Sequence, residues 1–168
     1  RPSRPGGAIA LLLTAGWALF AFAGAYRWTV VPIVAGAAAS ALIVRPSVFR
    51  RPFRTLDASL LACLLVVAGQ LVPLPSHIRT LLSPAASRIE GDLEFDVASG
   101  ARPLSLDPAS TLWALVFGIS LLLMFWSARS LFARGGGVRI VARWIGWFGF
   151  ALAIIMFVQR SMSPGLIY

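Results

Sequence analysis

Arginine and glutamine side chains stand at the ends of several apolar runs, where they could bind an anionic ligand. A guanidinium group pairs bidentately with phosphate or carboxylate oxygens and stays charged at any physiological pH. Polar side chains at membrane depth usually face a bundle interior or a water-filled cavity. The candidate ligand-binding residues are therefore Gln70, Arg79, Arg102, Gln159 and Arg160. Two alternatives stay open for each arginine, which are anionic lipid headgroups and the acidic residues of the arginine's own loop.

Other site chemistries find little support in the residue types. A single cysteine, Cys63, and a single histidine, His77, provide neither an intrachain disulfide nor a zinc site. His77 follows Ser76, but no nucleophile elbow surrounds this serine, which argues against a hydrolase triad completed by Asp107. Glu90, Asp92, Glu94 and Asp96 alternate along the chain without the glycine pattern of a calcium loop. We expect neither a metal nor a cofactor.

The composition is that of a membrane protein. Hydrophobic residues make up 58% of the 168 residues and charged residues only 12%, against about 25% charged residues in globular proteins. All 15 basic residues are arginines, and the net charge is +9. These arginines cluster in short segments between apolar runs, as topology signals do in membrane proteins. We therefore expect the lipid bilayer as a partner and no binding to nucleic acid.

Apolar runs predict the domain organisation. About 20 apolar residues are needed to cross a bilayer as a helix. The sequence predicts an all-α, polytopic transmembrane helix bundle of about five spans. Three spans fall within residues 1–72, an external loop follows over 73–110, and two further spans and an outer end occupy 111–168. The predicted spans cover residues 8–25, 28–44, 56–72, 111–127 and 140–158.

The arginine distribution predicts the orientation of these spans. Ten arginines fall on one side of the five-span arrangement, and five arginines with five acidic residues fall on the other. Because cytoplasmic loops carry an excess of arginine and lysine, the amino terminus is expected in the cytoplasm and the 73–110 loop outside.

The 73–110 loop has two patterned parts. Apolar residues recur at helical spacing over 78–89, which predicts an amphipathic helix on the membrane surface that breaks at Ser83. The alternative is a loop helix packed on its own bundle. Alternating apolar and acidic residues after Gly91 predict a small β-hairpin. Asp107 is a good N-cap and Pro108 suits the first helical position, so a helix is expected to start there.

Four segments carry a family resemblance. They are "GQLVPLP" at Gly69–Pro75, "SHIRTLLSP" at Ser76–Pro84, "RPLSLDPAST" at Arg102–Thr111 and "FVQRSMSPGLIY" at Phe157–Tyr168. In this order they resemble the amino-terminal half of the bacterial O-antigen ligase/polymerase family. The resemblance covers roughly Leu65–Tyr168, and the residues before it match only in general character.

The resemblance implies a multi-pass glycosyltransferase of the bacterial inner membrane that takes a glycan from undecaprenyl pyrophosphate on the periplasmic side. The glycan acceptor would be lipid A-core for a ligase or a second lipid-linked repeat for a polymerase. Neither reaction needs a metal or a nucleotide sugar. No residue matches the family's catalytic arginines and histidine, so these are expected beyond Tyr168 and the chain alone is expected to be inactive. Outer-face arginines such as Arg79, Arg102 and Arg160 could bind the pyrophosphate.

Two other functions are compatible with the sequence. One is a non-enzymatic polytopic membrane protein, either half of a transporter or an assembly scaffold. A transporter would be favoured by an inverted repeat or broken helices at the midplane, but no internal repeat is visible and Pro32 alone is a weak break. The other is a membrane-surface sensor whose external loop binds a protein partner.

Overall fold

The computed structural model describes residues 5–21, 27–85, 88–89, 101–133 and 137–162. Regular structure in these residues is helical. The helices are α1 (Pro5–Phe20), α2 (Arg27–Val44), α3 (Arg54–Gly69), α4 (Ser76–Leu82), α5 (Pro108–Phe132) and α6 (Gly137–Met162). An isolated antiparallel bridge pairs Leu74 with Arg102, and the described residues form no strand.

The prediction of about five membrane spans is wrong. Among the described helices, two are long and apolar enough to cross a membrane, over Pro108–Phe132 and Val138–Ser161. Each has a mean hydropathy of 1.9 in its most apolar window, and that window is 11% buried in the first helix and 0% buried in the second. Two such helices are consistent with a membrane protein. This support comes from helix length and composition, two properties that core helices of soluble proteins also share.

Helix length explains the error. The apolar parts of α1 and α2 are Gly6–Phe20 and Trp28–Val44, and at 1.5 Å per residue they extend roughly 23 and 26 Å, short of a hydrocarbon core about 30 Å thick. The third predicted span includes Gln70–Val72, which form a turn after α3 rather than a helix. Apolar residues thus continue past helix ends. The cytoplasmic placement of the amino terminus depends on the five-span count and loses that support.

The loop predictions have mixed outcomes. The break at Ser83 is confirmed, since α4 ends at Leu82 and Ser83 adopts φ −144° and ψ 77°. The start of α5 at Pro108 is also confirmed. The first strand of the predicted β-hairpin lies outside the described residues. Its second strand, around Leu104 and Leu106, is not formed, and Arg102 pairs instead with Leu74.

The chain divides into two compact units, Arg1–Ser47 with Ser120–Tyr168, and Val48–Ile119. In the first unit, α1 and α2 pack as a close antiparallel pair. A Cβ atom added at Gly36 would overlap Thr14, and Ala37 and Ser40 are fully buried. The small residues Gly36 to Ser40 permit this close approach. The α6 helix contacts α1, where Phe148 lies against Gly16.

The second unit contains α3, α4 and the start of α5. The α3 helix contacts α5 where Gly118 lies beside the side chain of Leu64. A fully buried carboxylate, Asp57, accepts a hydrogen bond from the backbone N–H of Phe49 at 2.8 Å. Phe49 has a positive φ of 59°, which is uncommon for a residue with a side chain. Asp57 therefore holds the arginine-rich segment before α3 in a defined turn.

Candidate functional site

The candidate site is built on a backbone junction within the unit Val48–Ile119. This junction consists of residues 70–75, after α3, and residues 102–107, before α5. The N–H of Leu74 donates to the carbonyl of Arg102 at 2.8 Å, and the N–H of Arg102 donates back to Leu74 at 3.1 Å. A third hydrogen bond of 3.1 Å runs from the N–H of Ser105 to the carbonyl of Gln70. The two segments are therefore fixed side by side although about 30 residues separate them in sequence.

Prolines favour the backbone conformation that this pairing needs. Leu74 precedes Pro75. Arg102 precedes Pro103. A residue before proline is biased toward extended backbone, which both paired residues need.

The amino terminus of α5 completes the junction. The carboxylate of Asp107 accepts hydrogen bonds from the N–H of Ser110 at 3.0 Å and from the hydroxyl of Ser110. This contact confirms the predicted N-cap. The hydroxyls of Ser105 and Thr111 lie 2.6 Å apart. The junction is therefore tied by side chains to the first turn of a helix long enough to cross a membrane.

Three of the five predicted ligand-binding residues belong to or adjoin the junction. Gln70 is exposed and Arg102 is half-buried. Arg79 lies on α4, one turn beyond Pro75, and it is half-buried with its Nε and Nη1 atoms inside the protein. The backbone pairing thus brings Arg102 close to the start of α4, the helix that carries Arg79. The sequence pattern alone did not show this proximity.

The other two predicted residues are placed elsewhere. Gln159 and Arg160 are exposed near the end of α6, in the unit formed by Arg1–Ser47 and Ser120–Tyr168. They are not part of the junction. Over the residues that the structure describes, no three His, Cys, Asp or Glu side chains are grouped so as to hold a metal ion.

Sequence reasoning missed two residues that shape this unit. Ser105 connects to both sides of the junction, through its N–H to Gln70 and through its hydroxyl to Thr111. Asp57 is fully buried, although the sequence places it in a predicted membrane span. The sequence did contain a signal for Asp57. This residue lies one turn into an apolar helix, after four arginines, and a carboxylate in that position needs hydrogen-bond donors.

Comparison of the chain with family models, with curated proteins and with solved structures found no match. The resemblance to the O-antigen ligase/polymerase family therefore stays a prediction from the four quoted segments. Two of those segments, at Gly69–Pro75 and Arg102–Thr111, form the junction, and Ser76–Pro84 follows the first of them directly.

Proposed function

We propose that the chain is part of a bacterial inner-membrane glycosyltransferase of the O-antigen ligase/polymerase type, and that the junction binds the pyrophosphate of its undecaprenyl-linked glycan. The observation that carries the proposal is the pairing of Leu74 with Arg102. This pairing holds Arg102 six positions before Pro108, where a membrane-length helix begins. A side chain at that point lies near headgroup depth, which is also the depth of a lipid pyrophosphate.

In the proposed reaction, the junction binds the leaving group. Transfer of a glycan from undecaprenyl pyrophosphate breaks the bond between the sugar and the pyrophosphate oxygen, so negative charge develops on the pyrophosphate. Arg79 and Arg102 would stabilise this charge, because guanidinium donors form strong bidentate hydrogen bonds with phosphate oxygens. Gln70 would add a neutral donor. No residue of this chain is proposed as the catalytic base.

The proposed acceptor is lipid A-core or a second lipid-linked repeat. The proposed location is the bacterial inner membrane, with the junction on the periplasmic side and the arginine-rich connection between α5 and α6 on the cytoplasmic side. The arginine distribution supports this orientation, since Arg129, Arg139 and Arg143 flank that connection.

Binding measurements on the chain in phosphatidylcholine nanodiscs test the proposal. We expect undecaprenyl pyrophosphate to bind at least tenfold more tightly than undecaprenol, since only the former carries the anion that the arginines recognise. Equal affinity for the two lipids would contradict the proposal and would favour a scaffold without a pyrophosphate site.

A further inference from the structure

The α6 helix carries an open groove with one charged end. Arg143, Gly146, Trp147 and Phe150 line this groove, which has a volume of about 350 Å³. Positions 143, 147 and 150 follow the spacing of a single helix face. The rings of Trp147 and Phe150 meet edge to face with centroids 6.1 Å apart, and both residues are exposed. Gly146 leaves the middle of the groove open, since a Cβ atom there would meet nothing within 4 Å.

The unit that contains α6 has no acidic side chain to pair with its arginines. All six acidic residues of the chain lie within Val48–Ile119. The unit that contains α6 therefore has no aspartate or glutamate, and it has nine arginines. The unit's own sequence thus offers no carboxylate to Arg143, which is exposed. A phosphate group would complement it.

The position of the groove along α6 matches an amphiphilic ligand. Arg143 lies five residues into the membrane-length stretch Val138–Ser161, about 8 Å from its start. An arginine at this depth extends its guanidinium toward the headgroups. Phe150 lies about 10 Å further along the helix, at the depth of acyl chains. The groove therefore offers a cation at headgroup level and two aromatic rings below it.

We propose that this groove binds one anionic phospholipid of the surrounding bilayer. Arg143 binds the lipid phosphate, and an acyl chain lies over Gly146 and against the rings of Trp147 and Phe150. This inference is independent of the glycosyltransferase proposal, because the groove and the junction belong to different units.

Native mass spectrometry of the chain in mild detergent tests this inference with dioleoyl phosphatidylglycerol and dioleoyl phosphatidylcholine as probes. We expect phosphatidylglycerol to bind more tightly than phosphatidylcholine. Arg143→Gln should weaken phosphatidylglycerol binding about tenfold, and Arg54→Gln, which removes the same charge from an exposed position on α3 in the other unit, should change it less than twofold. Equal losses in the two variants would overturn the assignment of the phosphate to Arg143.

A matched pair of glycine variants tests the acyl part of the site. Gly146 and Gly149 are both exposed on α6 with open space around them, but only Gly146 lines the groove. Gly146→Leu fills the groove and should lower the occupancy of both lipids at least fivefold, whereas Gly149→Leu should leave it unchanged. Equal occupancy in the two variants would show that the lipid does not lie over Gly146.

Discussion

The main chains of Leu74 and Arg102 exchange two hydrogen bonds, of 2.8 and 3.1 Å. This exchange defines a hydrogen-bonded antiparallel pair, in which the two Cα atoms are about 5.5 Å apart. The pair joins the segment that ends α3 to the segment that begins α5. The arrangement of Gln70, Arg79 and Arg102 around the junction depends on it.

Cross-linking tests the pairing directly. Disulfides form between residues whose Cα atoms are about 4.4–6.8 Å apart, so Leu74→Cys combined with Arg102→Cys should form a disulfide under mild oxidation. Cys63 is exposed and should be replaced by serine in every variant. The measurement is the mobility shift on a non-reducing gel that reducing agent reverses. Each single cysteine variant should show no shift, and a double variant that stays reduced would contradict the pairing.

Asp107 should stabilise the start of α5. Asp107→Ala removes the hydrogen bond to the N–H of Ser110, and loss of an N-cap of this kind costs about 1 kcal/mol. Asp107→Asn should retain most of the stability, because an asparagine side chain also caps. Thermal unfolding in detergent measures both variants. A similar loss for alanine and asparagine would show that the cap itself contributes little.

The α1–α2 pair should tolerate no side chain at Gly36. A Cβ atom at this position would lie against Thr14, so Gly36→Ala should destabilise the unit by about 1–3 kcal/mol. Gly69→Ala is the matched control, because nothing lies within 4 Å of a Cβ atom at Gly69. Combining Gly36→Ala with Thr14→Ala should recover part of the loss in thermal unfolding. Equal stability of the Gly36 and Gly69 variants would contradict the close packing.

The α6 helix should cross the membrane. Arg139 and Ser161 lie near its two ends, about 33 Å apart along the axis. In the Cys63→Ser background, Arg139→Cys and Ser161→Cys should react with a membrane-impermeant maleimide from opposite sides of sealed vesicles. Labelling of both positions from the same side would show that α6 lies on the surface instead.

Local features of the fold were predictable from the sequence, and long-range features were not. The cap formed by Asp107 and the stop at Ser83 depend on a few neighbouring residues, and both were predicted correctly. The Leu74–Arg102 pair joins residues on either side of a long insertion, and no local pattern encodes it. Once the pair is known, the prolines that follow Leu74 and Arg102 explain why both residues have an extended backbone.

Errors in the span count have a physical origin as well. Hydropathy measures how apolar a run of residues is, but it does not show where the helical backbone stops. The α3 helix stops at Gly69, although the apolar residues Leu71 and Val72 follow. Trp17 lies within the first predicted span, residues 8–25. Its Nε1 atom donates to the carbonyl of Thr29 at 3.1 Å, so this tryptophan connects α1 with α2. Composition does not predict tertiary contacts of this kind.

The central claim is that arginines at the junction bind a lipid pyrophosphate. The most direct test compares the affinity for undecaprenyl pyrophosphate in nanodiscs between Arg102→Ala, Arg79→Ala and the control Arg139→Ala, which removes an arginine of α6. We expect each junction variant to weaken binding about tenfold, because each removes a charged hydrogen-bond donor, and the control to change it less than twofold. Three equal affinities would contradict the claim and leave both junction arginines with a structural role only.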